Sequence, residues 1–381
     1  MNIVNAEELH RLLKGKIRVV PVLDNIDRQL LSLLYTPGVA EIAVKCAHEH
    51  SLTFEYTRRW NTVAVVSDGS AVLGLGNIGA HGALPVMEGK ALLFKIFADL
   101  DAIPLCLKTH DTELMIQIVK ALEPSFGGIN LEDIAAPRCF EILKRLEREL
   151  DIPVFHDDQQ GTAVVVCAAL KNALKVVGKK LEKIRIVVNG IGAAGYNIVK
   201  FLFKMGAGEI VPVDKNGILN PYDPSTCLHE YHMELAKMVN PDGKKGSLQD
   251  ALKGADVFIG VSRGKLVTPD MVRSMAGDPV VFALANPVPE IDPSLAREAG
   301  ARIVATGRSD FPNQVNNLLA FPGIMKGAMK ARSRITEKML LAAIEAIANS
   351  CEPESERILP EAYDEHVHEN VFKAVVSTSN T

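Results

Sequence analysis

Ile184-Arg185-Ile186-Val187-Val188-Asn189-Gly190-Ile191-Gly192-Ala193-Ala194-Gly195 is the stretch that decides the fold. The β-branched run at its start predicts a buried strand, because such side chains pack well on a pleated surface. A G-x-G-x-x-G pattern follows directly, and Ile198, Val199, Leu202 and Phe203 then share one face of a helix. A further strand ends at Asp214, nineteen residues past Gly195. This order supplies what a dinucleotide needs: a tight turn, a close backbone approach, a helix N-terminus for pyrophosphate and an acid for the ribose hydroxyls. Gly190, Gly192, Ala193, Ala194, Gly195 and Asp214 are therefore the expected cofactor contacts. The alternative, a merely tight strand-to-helix turn, explains less of this context.

Downstream, runs at 210–213, 257–261, 280–284 and 303–305 alternate with helical patterns up to about residue 310, a doubly wound arrangement. Upstream, strands are expected at 63–67, 91–98 and 103–107, with helices at 112–122 and 137–149. The predicted fold class is α/β: an N-terminal domain (1–157) with a largely parallel sheet, then a Rossmann-type dinucleotide-binding domain (158–381). Residues 161–177 read as a long helix and 335–348 as another, while 353–381 carries no clear pattern.

A second G-x-G-x-x-G, Gly74-Leu75-Gly76-Asn77-Ile78-Gly79, also follows a predicted strand, with Asp99 twenty residues beyond Gly79. Gly82, Pro85 and Gly89 interrupt any regular crossover helix after it. It reads as a glycine-rich active-site loop, with a plain structural turn equally compatible.

Two acidic pairs stand out, Glu132-Asp133 and Asp157-Asp158. Acids at a helix start are favoured by its dipole, which alone accounts for the first pair. The second ends the apolar run Ile152-Pro153-Val154-Phe155, so a strand would deliver it to the carboxyl edge of a sheet, where open α/β folds place their sites. Buried neighbouring carboxylates repel, and a hard divalent cation such as Mg²⁺ or Mn²⁺ resolves that repulsion. A nicotinamide cofactor beside such a cation suggests oxidation of a hydroxy acid followed by decarboxylation.

The totals fit an enzyme of this kind. The 381 residues suit two domains, with 48% hydrophobic and 23% charged residues. A formal net charge of -4 argues against nucleic acid as the main partner. No apolar run approaches the ~18 residues of a membrane span, and 163–170 stops at Lys171. Met1-Asn2-Ile3-Val4-Asn5-Ala6-Glu7-Glu8 has acids where a signal peptide carries basic residues. Six scattered cysteines without a C-x-x-C pair suggest reduced thiols and a cytoplasmic setting.

Tyr35-Thr36-Pro37-Gly38-Val39-Ala40, Glu88-Gly89-Lys90, Asn130-Leu131-Glu132-Asp133, His156-Asp157-Asp158-Gln159-Gln160-Gly161-Thr162, Ala285-Asn286-Pro287 and Gln314-Val315-Asn316-Asn317 together resemble the motifs of malic enzymes, in the family's order. The resemblance covers most of the chain and implies malate oxidised and decarboxylated to pyruvate, with NAD or NADP reduced. It implies Lys90 as the base at the malate hydroxyl, its pKa lowered beside a metal, and Tyr35 as the acid that protonates the enolate carbon. Glu132, Asp133 and Asp158 match metal ligands, with Asp157 supporting Lys90. Asn286 and Asn317 match substrate contacts, with Asn316 adjacent, and Ser262 and Asn286 are expected beside the cofactor. A homodimer is the expected assembly, the segment carrying Tyr35 reaching the partner's site.

Two departures accompany the resemblance. Larger malic enzymes carry an arginine where this chain has Ser70-Ala71, so the substrate carboxylate must be held differently. Arg263 is atypical and is expected near the cofactor. Malolactic conversion, which keeps the cofactor bound and releases lactate, is the alternative within the family. A dinucleotide-binding regulator without turnover is the alternative outside it.

Overall fold

The computed structural model describes residues 5–379. Of the stretch Met1–Glu8, whose acids argue against a signal peptide, residues 1–4 lie outside the described residues.

The chain begins as an arm of three helices, α1 (Ala6–Leu13), α2 (Arg28–Leu34) and α3 (Val39–His48). Side-chain caps start the first two: Asn5 accepts from the Glu8 N–H and Asp27 from the Leu30 N–H. No residue from 5 to 50 is buried. After α4 (Thr53–Tyr56) the first domain alternates β1 (Thr62–Ser67), α5 (Gly79–Ala98), β2 (Asp101–Cys106), α6 (Thr112–Leu122), β3 (Gly128–Leu131), α7 (Arg138–Glu149) and β4 (Val154–His156).

These four strands form one parallel sheet in the order β2-β1-β3-β4. Strands covered on both faces must be apolar on both faces, and Val63, Ala64, Val65, Val66, Ile129, Leu131, Val154 and Phe155 are all buried. The register sets Val66 opposite Leu131 and Leu131 opposite His156. Ser67, which ends β1, and Glu132 and Asp157, the first residues beyond β3 and β4, therefore lie side by side at the carboxyl edge of the sheet.

A π-helical turn, Asp157–Gly161, leads into the core helix α8 (Thr162–Val177). The second domain follows as β5 (Arg185–Asn189), α9 (Ala193–Lys204), β6 (Glu209–Asp214), β7 (Gly217–Ile218), α10 (Glu230–Val239), α11 (Leu248–Leu252), β8 (Val257–Gly260), α12 (Pro269–Arg273), β9 (Val280–Ala283), α13 (Pro293–Glu298) and β10 (Ile303–Thr306). The sheet order is β10-β9-β8-β5-β6-β7, parallel except for the β6–β7 hairpin. The chain winds outward from β5 to β6 and then returns to build β8, β9 and β10 on the other side. That reversal puts the ligand crevice at the carboxyl end of β5.

The last helices, α14 (Phe321–Ala331), α15 (Glu337–Ala348) and α16 (Glu365–Ser379), return to the first domain. Phe321 packs edge-on against Phe94 of α5 at 4.8 Å, and His368 stacks on Phe97 at 4.4 Å. One buried apolar cluster thus runs continuously from the first sheet through α8 to the second, and a separate apolar layer covers the other face of the second sheet.

Three expectations need correction. The run 91–98 is the end of α5, not a strand, and Gly82, Pro85 and Gly89 all lie inside that helix. Its buried residues, Ala83, Met87, Lys90, Ala91, Phe94 and Ala98, follow helical spacing, so packing offsets the proline's ~3 kcal/mol. Residues 365–379, which carried no clear pattern, are α16. Finally, Arg28–His48 and Asp157–Val177 are long and apolar enough to cross a membrane by length and composition, once a few polar residues are allowed. The second is core; the first lies on the exposed arm.

Candidate active site

The carboxyl edges of the two sheets face a shared cavity of about 670 Å³. Lys90 of α5 enters it among four carboxylates. Its Nζ lies 3.0 Å from Glu132 Oε1, donates to Asp157 Oδ2, and sits 4.0 Å from the centre of the Phe321 ring. Asp157 Oδ2 also accepts from Asn317 Nδ2 at 2.7 Å. Gly161 is required beneath it, because a Cβ there would meet Asp157 Oδ1 at 1.9 Å.

Asp133 adopts φ 55°, a left-handed conformation that aspartate tolerates better than most residues. Its N–H donates to Asp158 Oδ2 at 2.9 Å, and its carbonyl accepts from the Ala71 N–H at 3.0 Å. Glu132, Asp133 and Asp158 each bring a carboxylate oxygen within 4.8 Å of the others. Asn130 Nδ2 orients Glu132 through Oε2 at 2.8 Å.

The electrostatics of this group are unbalanced. Burial raises the proton affinity of Glu132, Asp157 and Asp158, and mutual repulsion adds to it at Glu132 and Asp157. Asp133 is pushed up to about 9 by burial and by Asp158 and Glu132. Burial by itself would lower the Lys90 ammonium, but Asp157 and Glu132 outweigh it and hold Lys90 above its ordinary range. The expectation of a lowered lysine is not met with both carboxylates free to pair with it. Asp133 Oδ2 and Asp157 Oδ1 are buried without a hydrogen-bond partner, as are both ring nitrogens of His156. An orphaned carboxylate oxygen, three converging hard oxygen donors and excess negative charge fit a divalent cation held by Glu132, Asp133 and Asp158.

The dinucleotide motif takes its three glycines for three different reasons. Gly190 has φ 99°, and a Cβ there would meet Ser262 at 2.7 Å. Gly195 lets α9 close on the strand end, since its Cβ would lie 1.9 Å from Gly190 O. Gly192 has open space above it, as close approach of a pyrophosphate requires. Asp214 ends β6, with Oδ2 accepting from the Ile191 N–H at 3.2 Å.

A groove of about 750 Å³ is lined by Gly190, Asp214, Lys215, Ser262 and Arg263. Ser262 also lines the acidic cavity with Ala194, Asn286, Asn316 and Asn317, so the two spaces meet there. Ala193 stands at the first position of α9. Asn316 uses its Oδ1 to cap the turn at Leu318, at 2.9 Å.

The structure does not bring Tyr35 to this cavity within one chain. It ends α2 on the arm, 67% exposed, and is not among the lining residues. Ser70 is a structural tie: its hydroxyl bonds Asp68 at 2.6 Å and accepts from the Ala135 N–H at 2.8 Å. Lys90 is the sole lysine or arginine lining the cavity among the described residues. Reading by sequence missed Asn130 and the Phe321 ring. It also missed His232, which is buried with Nε2 2.9 Å from Ile191 O. Asn130 opens the motif Asn130–Asp133 but was given no role there, while Phe321 and His232 lie outside every motif and only the folded chain brings them to the site.

The chain matches two family descriptions, "Malic enzyme, N-terminal domain" over residues 14–147 and "Malic enzyme, NAD binding domain" over 159–377. It is 54% identical to the NAD-dependent malic enzyme of Geobacillus stearothermophilus, over 96% of this chain and 77% of that one. It is 50% identical to the bifunctional malic/malolactic enzyme of Bacillus subtilis (strain 168), over 98% and 92%. Among solved structures, the NAD-dependent malic enzyme of Thermotoga maritima superposes with a TM-score of 0.96 at 67% identity, covering 98% of this chain and 99% of that one.

Proposed function

This chain belongs to the malic enzyme family, and from that premise we propose how its residues divide the work. The reaction is the oxidative decarboxylation of malate to pyruvate and CO₂, with reduction of NAD(P). One observation carries the residue assignments: Glu132, Asp133 and Asp158 converge beside Lys90 in a cavity that Ser262 shares with the dinucleotide groove.

Glu132, Asp133 and Asp158 hold Mg²⁺ or Mn²⁺, which supplies Lewis-acid polarisation of the substrate oxygens. Gly190, Gly192, Ala193, Ala194 and Gly195 receive the pyrophosphate of NAD(P), the hydride acceptor, and Asp214 its ribose. Lys90 takes the proton of the C2 hydroxyl. With Glu132 committed to a cation, Asp157 would be the one carboxylate left on Lys90; by accepting the proton Lys90 already donates to it, Asp157 would leave the amine free to take that of the C2 hydroxyl. Asp157 steadies Lys90 and is itself oriented by Asn317. Asn286, Asn316 and Asn317 line the substrate space, and their amides receive the carboxylates. Tyr35 donates a proton to the enolate carbon left after CO₂ departs.

Tyr35 must come from elsewhere to do so, and the exposed arm supports a homodimer in which it enters the partner's cavity. Leu31, Leu33, Leu34 and Val44 are exposed beside it, an apolar surface of the kind that marks an interface. The Asp214 carboxylate disfavours a 2′-phosphate and supports NAD over NADP, opposed by Lys215 and Arg263 in the same groove. All six cysteines are free, which supports a reducing compartment, the cytoplasm.

The test is nicotinamide absorbance with malate, with and without Mn²⁺, using NAD and NADP in turn. Metal-dependent reduction with higher kcat/KM for NAD is expected; a higher value for NADP overturns the preference. Lactate release without net NADH would favour malolactic conversion, an activity named for the Bacillus subtilis relative. Cofactor binding without turnover would leave only the regulator.

A further inference from the structure

Glu290 is completely buried and lies outside every motif in the sequence. Its carboxylate joins two loops. Oε1 accepts from the Ser262 N–H at 2.9 Å and the Ser262 hydroxyl at 3.4 Å, while Oε2 accepts from the Ala285 N–H at 3.0 Å. Ser262 belongs to the loop after β8, where the cofactor groove meets the acidic cavity. Ala285 precedes Asn286 on the loop after β9.

Around that carboxylate the loops close like a zip. The Lys265 N–H donates to Pro289 O and the Val267 N–H to Glu290 O, both at 3.0 Å. Gly260 leaves the carboxylate its space, since a Cβ there would meet Glu290 Cδ at 2.5 Å. Asn286 in turn abuts the first domain, because a Cβ on Gly74 would lie 2.1 Å from Asn286 O. Asn189 Nδ2 completes the chain from β5, donating to the Ser262 hydroxyl at 2.8 Å.

A buried carboxylate is costly, but an apolar side chain in its place would leave the Ser262 and Ala285 N–H groups buried and unmet. What the carboxylate provides is two acceptor oxygens in a fixed fork, one for each loop. We propose that Glu290 is a positioning residue that sets the spacing between Ser262 on the cofactor side and Asn286 on the substrate side. The inference rests on the assignment of those two residues to cofactor and substrate.

Glu290→Gln is the sharpest variant. An amide has one oxygen, so it satisfies one loop and turns an N–H₂ toward the N–H of the other. One buried donor is left unmet, and relief of that mismatch shifts one loop against the other. Binding of NADH by its fluorescence should weaken about tenfold in the variant, and KM for NAD and for malate should rise together by a similar factor. Gly260→Ala, which displaces the carboxylate without removing it, should reproduce the joint rise.

A merely structural Glu290 would act differently: fewer active molecules, hence lower kcat per total protein, with NADH affinity and both KM values unchanged. That pattern in both variants overturns the proposal, as does a rise in only one of the two KM values. Failure of the unaltered protein to bind NADH overturns the cofactor assignment itself, and the inference with it. If Glu290→Gln does not fold, Gly260→Ala decides alone by the same two readouts.

Discussion

Lys90 and Tyr35, the two residues that exchange protons with the substrate in this scheme, occupy opposite environments. Lys90 is buried, ion-paired to two carboxylates and backed by the Phe321 ring. Tyr35 stands on an arm in which no residue from 5 to 50 is buried. The cavity takes its reference from strand register: Val66, Leu131 and His156 lie level, and the residue after each reaches the same edge, where α5 delivers Lys90. The arm has no such internal reference. Its local order comes from caps and turns.

The largest effect should fall on the cavity side. Asp158→Ala removes one of three converging oxygens and should cost about 10³-fold in kcat/KM, on the order of a lost metal contribution. Full activity of that variant in the presence of a chelator would remove the metal from the mechanism.

Next come the proton carriers, each worth ~10²–10⁴-fold. Tyr35→Phe should lose overall turnover yet keep reduction of oxaloacetate, which needs no protonation at C3. Lys90→Ala should lose both, because the same lysine is the acid in the reverse direction. Equal loss of both partial activities in the two variants would mean that the cavity and the arm act as one unit.

A subtler effect separates the regions without touching chemistry. Charging the arm's exposed apolar face with Leu31→Asp and Leu34→Asp should yield monomers with turnover reduced by about 10²-fold. NADH affinity should persist, because the groove is complete within one chain. Dimers of full activity by light scattering would show that this face is not the interface.

How much of this was legible in the sequence depended on whether a feature was local. The β5 strand, the Gly190–Gly195 turn and Asp214 follow one another in the chain, and local periodicity revealed them. The carboxylates at 132, 133, 157 and 158 stood out as pairs, but their convergence on Lys90 depends on pairing strands separated in sequence. Residues 79–98 misled because glycine and proline signals were weighed above the buried stripe of Ala83, Met87, Ala91, Phe94 and Ala98, which was present all along. Glu290 had no local signature, since its meaning lies in two backbone N–H groups from different loops.

The smallest effect expected concerns the cavity's support. Gln160 accepts from the His156 N–H at 3.0 Å and donates to Glu147 at 2.9 Å. Burial pushes the Glu147 carboxyl up to about 7, against the opposing pull of Gln160 and Lys200. Its folded pKa therefore exceeds its unfolded value of about 4.3, and between the two the folded protein binds the extra proton. The contribution is complete below about pH 4.3 and is lost as pH rises through about 7. Glu147→Gln should flatten the fall in Tm between about pH 5 and 8 by roughly 1–3 °C. An unchanged slope would mean that this carboxyl is ionised throughout.

The division between cavity and arm is tested most directly by mixing two inactive proteins, Tyr35→Phe and Lys90→Ala, under conditions of subunit exchange. If each arm serves the partner's cavity, a mixed dimer holds one site with Lys90 and Tyr35 both intact. Random exchange of equal amounts makes about half the dimers mixed, so about a quarter of the wild-type activity should return. No recovery, with exchange verified by mass-tagged chains, would place Lys90 and Tyr35 in the same subunit and contradict the division.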